Sequence, residues 1–245
     1  MVKKGNAMMT KAIIFDKDGT LLDFDALWLA VSDKAIAEIL ERADAPAFLA
    51  GEILAGFGVT DGTVDVDGVL CGGTYGQMAE IVGRVLQKHG RIRTPEQVKK
   101  YTVDAYHRHF TAGVVKPICA ELSDTLKTLK ERGVLLAVVT SDDRVNAERC
   151  LDELGITQYF DEIYADDGTF PVKPDPACID ELCRKYGLSK TEVVVVGDTL
   201  TDMRFAENGG VRAVGIAKTA RNAAVLRAAT DTVVEDPSHL LDILF

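Results

Sequence analysis

The sequence predicts an α/β protein, built on a parallel sheet with a block of helices inserted after the first strand. Three observations point there. Short apolar runs recur along the second half of the chain and alternate with amphipathic segments that stop at glycine. Each apolar run is followed at once by polar residues with turn chemistry. Residues 24–112 break this rhythm, showing helical periodicity and no strongly buried strand. Strands that read as continuous apolar runs are buried on both faces, which is the mark of βαβ units in a parallel sheet.

Residues 1–9 carry two lysines and no apolar stretch, so they are read as a flexible extension and not as a signal segment. Ala12, Ile13, Ile14 and Phe15 form the first buried strand, which feeds the turn Asp16, Lys17, Asp18, Gly19, Thr20. Trp28, Val31, Ala35 and Ile39, flanked by Leu29, Ile36 and Leu40, mark one amphipathic helix of the insertion. Residues 77–88 and 96–110 are helical as well. The core is therefore expected at 10–23 and 113–245, and the helical domain at 24–112, with hinges near 23–25 and 111–117.

In the second half, a helix over 122–132 stops at Gly133, and a strand over 135–139 ends at Thr140 and Ser141. A helix over 144–154 is closed by Gly155, and a short strand covers 162–165. A helix over 177–186 is closed by Gly187. Val193 to Val196 is all valine, ends at Gly197 and Asp198, and is followed by a helix near Asp202. Residues 211–216 and 232–234 complete the strands.

Composition narrows the function. The chain has 245 residues, 47% of them hydrophobic, enough for a large core. The net charge is −10 and no dense Lys/Arg cluster occurs, which argues against a nucleic-acid partner. No apolar run approaches the roughly 20 residues that cross a bilayer, so no membrane partner is expected. Five cysteines, without a Cys-x-x-Cys pair, fit a reducing cytoplasm better than disulfides or zinc. Cys178 and Cys183 read as packing thiols.

Ligands of open parallel sheets bind at the carboxyl ends of the strands. Those ends hold Asp16 and Asp18, Thr140 and Ser141, Lys173 ahead of Pro174, and Asp198 with Asp202 four residues on. Carboxylates, a hydroxyl and a lysine on one rim suit phosphoryl transfer. A divalent cation held by Asp16 and Asp198 would cancel the repulsion between a carboxylate nucleophile and a phosphate, and hard oxygen ligands favour Mg²⁺ over zinc. Lys173 would place positive charge on the phosphoryl oxygens and Thr140 would donate a hydrogen bond. Asp16 and Asp18, two apart, would project to one side in extended backbone, with Lys17 pointing away. One of the two can attack phosphorus while the other protonates the leaving oxygen. Gly19 permits close backbone approach to the phosphate.

Phe15 to Leu21 resembles the first motif of the haloacid dehalogenase superfamily. Val139-Thr140-Ser141 is similar to the second motif, Lys173-Pro174 to the third, and Gly197-Asp198-Thr199-Leu200-Thr201-Asp202 to the fourth. The resemblance implies a Rossmann-like core with a helical cap. It implies Asp16 as nucleophile, Asp18 as general acid and base, and Mg²⁺ held by the Asp16 carboxylate, the Asp18 main-chain carbonyl and Asp198. Asp202 would orient a metal-bound water or Lys173. Cap position and first motif look most like phosphoglycolate phosphatases, which implies a small phosphorylated metabolite as partner and a monomer or homodimer. Lys17 departs from the pattern, since the family more often has an apolar residue there, and its amine needs a partner or a route to water.

Other readings compete. A phosphomutase of the β-phosphoglucomutase type shares all four motifs, and sugar-phosphate isomerisation against phosphate release separates the two. A binding protein on the same fold would have shed some of Asp16, Asp18, Lys173 and Asp198. Residues 61–68 hint at a calcium loop, but Val66 and Gly72 stand where such a loop needs Gly and Glu, so a turn-rich loop is the preferred reading. His107 and His109 fall on different helix faces, Trp28 reads as core of the inserted domain, and Gly72-Gly73-Thr74 as a loop or a helix start.

Overall fold

The computed structural model describes residues 10–66 and 68–245, so the extension read at residues 1–9 lies outside the described residues. Its strands are β1 (Ala12–Phe15), β2 (Val59–Thr60), β3 (Thr63–Val64), β4 (Leu135–Val139), β5 (Glu162–Tyr164), β6 (Val193–Gly197), β7 (Arg212–Ile216) and β8 (Val233–Val234). Among the described residues, six of them form one sheet in the order β5-β4-β1-β6-β7-β8, every neighbouring pair parallel. The α/β class expected from the sequence is thus the observed one.

Both faces of the sheet are covered, which explains the unbroken apolar runs. Ile13 and Phe15 point to one face with Leu136, Val138, Val194 and Val196. Ala12 and Ile14 point to the other with Ala137, Val139, Val193 and Val195. Period-two alternation therefore sends successive residues into two separate cores, and no position on these strands can be polar. Central β1 lies between β4 and β6, with Phe15 level with Val138 and Val196. The residues that follow these three strands must then emerge side by side.

The described residues up to Leu22 and from Pro117 onward form one compact unit, and Asp23–Lys116 forms a second. The second is mainly helical. Helix Phe24–Arg42 packs on Pro95–His109, which packs on Tyr75–Lys88. Trp28 is buried there against Phe24, Tyr106 and Phe110. The sequence reading missed helix Leu49–Phe57 and the β2–β3 hairpin. That hairpin turns on Asp61 and Gly62, at φ 52° and 72°. An Asp-Gly pair accepts the two left-handed residues that a tight hairpin needs, so residues 61–64 serve a turn. Thr74 caps Tyr75–Lys88 in a reciprocal box with Gln77, the helix-start reading of Gly72-Gly73-Thr74. His109 pairs with Glu38 at 2.8 Å, while His107 meets the Tyr75 ring. Among the described residues, no helix is long and apolar enough to cross a membrane.

Candidate active site

Four segments of the sheet-bearing unit meet at the carboxyl ends of β1, β4 and β6. Asp16 leaves β1 with its N–H donated to the Val196 carbonyl at 2.8 Å, so β6 still grips the chain where it leaves the strand. The backbone bends at Lys17, whose carbonyl accepts the N–H groups of Leu21 (2.9 Å) and Leu22 (3.1 Å). A tight loop results. Gly19 sits in it at φ +82°, and a Cβ there would lie 2.2 Å from Asp198 Oδ2. Only glycine allows that approach.

Lys173 crosses to this point from the loop after β5. Its amine is 2.5 Å from Asp16 Oδ1 and 2.6 Å from Asp202 Oδ1, and all three residues are buried. Asp202 has a double duty. Its Oδ2 accepts from the Thr199 N–H and hydroxyl, while its own N–H donates to Thr199 Oγ1, a capping box that starts helix Leu200–Gly209. Asp198 Oδ1 accepts from the Thr20 hydroxyl at 3.1 Å. Thr140 is buried, and its Oγ1 accepts from the Asp142 N–H at 3.1 Å, which leaves the hydroxyl proton to be donated. Ser141, beside it, is half-buried.

Carboxylate oxygens of Asp16, Asp198 and Asp202 lie within 4.8 Å of one another. Burial pushes the Asp16 carboxyl up to about 7, held back by Lys173 and driven further by Asp202 and Asp18. Asp198 is raised well above the carboxylate range by burial and by Asp16 and Asp202. Burial works against the Lys173 ammonium, yet Asp16 and Asp202 hold it above the ordinary lysine value. Three buried acids thus face one lysine. Asp202 already spends both oxygens on Lys173 and Thr199, whereas Asp16 and Asp198 each keep one oxygen that accepts no hydrogen bond from the described residues. A hard, oxygen-only donor set with excess negative charge fits a small divalent cation such as Mg²⁺, with Asp16 and Asp198 as the available carboxylates.

Asp18 is near enough to raise the Asp16 carboxyl, yet it has a cation of its own. The bend at Lys17 breaks the extended alternation, and the Lys17 amine meets the Asp18 carboxylate at 2.9 Å (Oδ1) and 2.8 Å (Oδ2). Lys17 was expected to point away from both aspartates; instead it is buried and engages one of them. A further partner, Asp142, was not singled out in the sequence, and Thr20 and Thr199 stood there only as members of the first and fourth motifs. The only local signal for Lys17 was a lysine beside a buried strand where an apolar residue would be cheaper.

The family model of haloacid dehalogenase-like hydrolases matches residues 10–210. The chain is similar to a phosphoglycolate phosphatase of Vibrio vulnificus (strain YJ016), 29% identical over 243 residues that cover 96% of each chain. It is also similar to pyrophosphatase PpaX of Halalkalibacterium halodurans, 32% identical over 178 residues, or 70% of this chain and 82% of the relative. A crystal structure from Haemophilus somnus 129pt, described as a predicted phosphoglycolate phosphatase, matches with a TM-score of 0.76 at 23% identity. That match covers 98% of this chain and 100% of the other. The chain belongs to the haloacid dehalogenase-like hydrolases, and it is an enzyme of that family.

Proposed function

We propose that this protein is a Mg²⁺-dependent phosphatase that hydrolyses a small phosphorylated metabolite through an aspartyl-phosphate on Asp16. The observation that carries the reading is the convergence of Asp16, Lys173 and Asp198 at one buried rim. Asp16, Asp198 and the Asp18 carbonyl would hold the metal. Bound there, Mg²⁺ would cancel the repulsion between the nucleophile and the phosphate.

The chain's own groups supply the rest. Asp16 attacks phosphorus and the ester oxygen departs. Asp18 gives that oxygen its proton, then takes one from the water that hydrolyses the aspartyl-phosphate and frees Asp16. Lys173 and the Thr140 hydroxyl bind the phosphoryl oxygens, assisted by Ser141 and by the backbone at Gly19. Asp202 holds Lys173 in place. All these groups address the phosphoryl group, so the helical unit Asp23–Lys116 is proposed as the cap that reads the remainder of the substrate.

The phosphoglycolate phosphatase relatives make 2-phosphoglycolate the first substrate to assay, and the pyrophosphatase relative makes pyrophosphate the second. A screen of phosphorylated metabolites for phosphate release, with and without Mg²⁺, tests the proposal. No release from any of them would refute it, and isomerisation of a sugar phosphate without net release would transfer the site to a mutase.

A further inference from the structure

We infer that Lys17 and Asp142 form a buried ion pair that fixes the Asp18 carboxylate in place, so that both act as positioning residues for proton transfer by Asp18. The inference rests on the acid and base role proposed above for Asp18.

Lys17 has no exposed surface. A buried ammonium loses its hydration, and an apolar side chain of similar size would fill the space at less cost. Packing alone therefore gives no reason for a lysine here. What the amine does touch is informative. It contacts both oxygens of Asp18, Asp142 Oδ2 at 3.0 Å, and the Cys150 thiol at 3.7 Å. A cation set against both oxygens restrains rotation of the carboxylate in a way that a single contact cannot.

The restraint is itself anchored. Asp142 Oδ1 accepts the Asp143 N–H at 2.9 Å, and the Asp142 N–H donates to Thr140 Oγ1. The Lys17 carbonyl closes the loop through Leu21 and Leu22. A continuous polar chain then runs from Thr140, on the β4 loop, through Asp142 and Lys17 to Asp18, on the β1 loop. It ties the hydroxyl proposed to bind the phosphoryl group to the proposed acid, so the two loops keep one relative geometry. For proton transfer, geometry within hydrogen-bond reach is the first requirement.

The test compares Asp18→Asn, the paired variant Lys17→Met/Asp142→Asn, and the triple variant. The paired variant removes one charge of each sign, so the pocket is not left with an extra anion. Circular dichroism and thermal melting establish that it folds. kcat/KM reports steps up to departure of the leaving group, so it is measured for an alkyl phosphate and for p-nitrophenyl phosphate, whose leaving group needs little protonation. The paired variant is expected to lose about tenfold or more on the alkyl ester and less than about threefold on the nitrophenyl ester, a fraction of the whole acid effect. In the Asp18→Asn background the pair should have no further effect beyond about twofold, since residues acting through one group are not additive. Asp142→Asn alone carries the same test, with an expected split of about threefold, should the paired variant not fold. Equal losses on both esters, or an undiminished loss in the Asp18→Asn background, overturn the positioning role. Asp18→Asn is the separate control: if it shows no split between esters, the acid role falls and takes this inference with it. If it shows the split and the pair does not, only the inference falls.

Discussion

Gly19→Ala separates a geometric role for the β1 loop from a mere preference for a flexible residue. Two penalties are foreseeable. Gly19 has φ +82°, and an L-residue in the left-handed region costs roughly 1–2 kcal/mol. The added Cβ would also lie 2.2 Å from Asp198 Oδ2 and 2.6 Å from Cγ, where ordinary contact begins at 3.4 Å. The Asp198 carboxylate must therefore retreat by about 1 Å, and a misplacement of that size at a reacting centre costs about 10²-fold in rate. Gly133→Ala is the matched control. It has φ +78° with no atom within 4 Å of the new Cβ, so it takes the backbone penalty without the collision. Gly133→Ala should lose roughly 1–2 kcal/mol in urea unfolding, and Gly19→Ala at least as much. Only Gly19→Ala should lose about 10²-fold in kcat/KM and need more Mg²⁺ for half-maximal rate. If the two variants had equal activity and equal Mg²⁺ dependence, the close approach of Gly19 to Asp198 would have no part in catalysis.

Asp16→Asn should fold normally and lose more than about 10³-fold in turnover, because an amide cannot form the acyl phosphate; phosphate release measures it, and substantial residual rate would remove Asp16 as nucleophile. Asp202→Ala should lower both stability and kcat, since it removes a helix cap and a partner of Lys173. Thr199→Ala should cost about 0.5–2 kcal/mol of stability while kcat stays within about threefold, and parallel kcat losses in the two variants would contradict the division. In chelated protein, burial raises Asp16 and Asp198 above their unfolded values, so from about pH 4 to about pH 7 the folded chain binds more protons than the unfolded chain. Stability should therefore fall as pH rises from about 4 through about 7, and Mg²⁺ should raise the melting temperature more near pH 8 than near pH 5. The opposite pH trend would argue against those buried acids as the metal site. Excess chelator should abolish phosphate release, Mg²⁺ should restore it, and Ca²⁺, with its longer and looser coordination, should inhibit; full activity in chelator would refute the metal dependence.

What the sequence by itself determined was the sheet and the addresses of the polar groups on its rim. Buried parallel strands must be apolar on both faces, so Ala12–Phe15, Leu135–Val139 and Val193–Gly197 stand out, and the first polar residue after each is marked as rim. Glycines at helix ends fixed boundaries well, as at Gly187 after Ala177–Tyr186. Local signals were weaker in residues 49–64, where a nine-residue helix and a hairpin of two-residue strands give the hydrophobic period little length to appear. Only the tertiary structure decided which charge meets which. Lys173 could have faced solvent, but it lies between Asp16 and Asp202, 157 and 29 residues away in the chain. Lys17 was expected to turn from the aspartates and instead binds Asp18 and Asp142, because a bend undoes strand alternation and a buried amine must find anions. Periodicity is a property of neighbours along the chain, whereas the pairing of buried charges depends on which strand ends the sheet sets side by side.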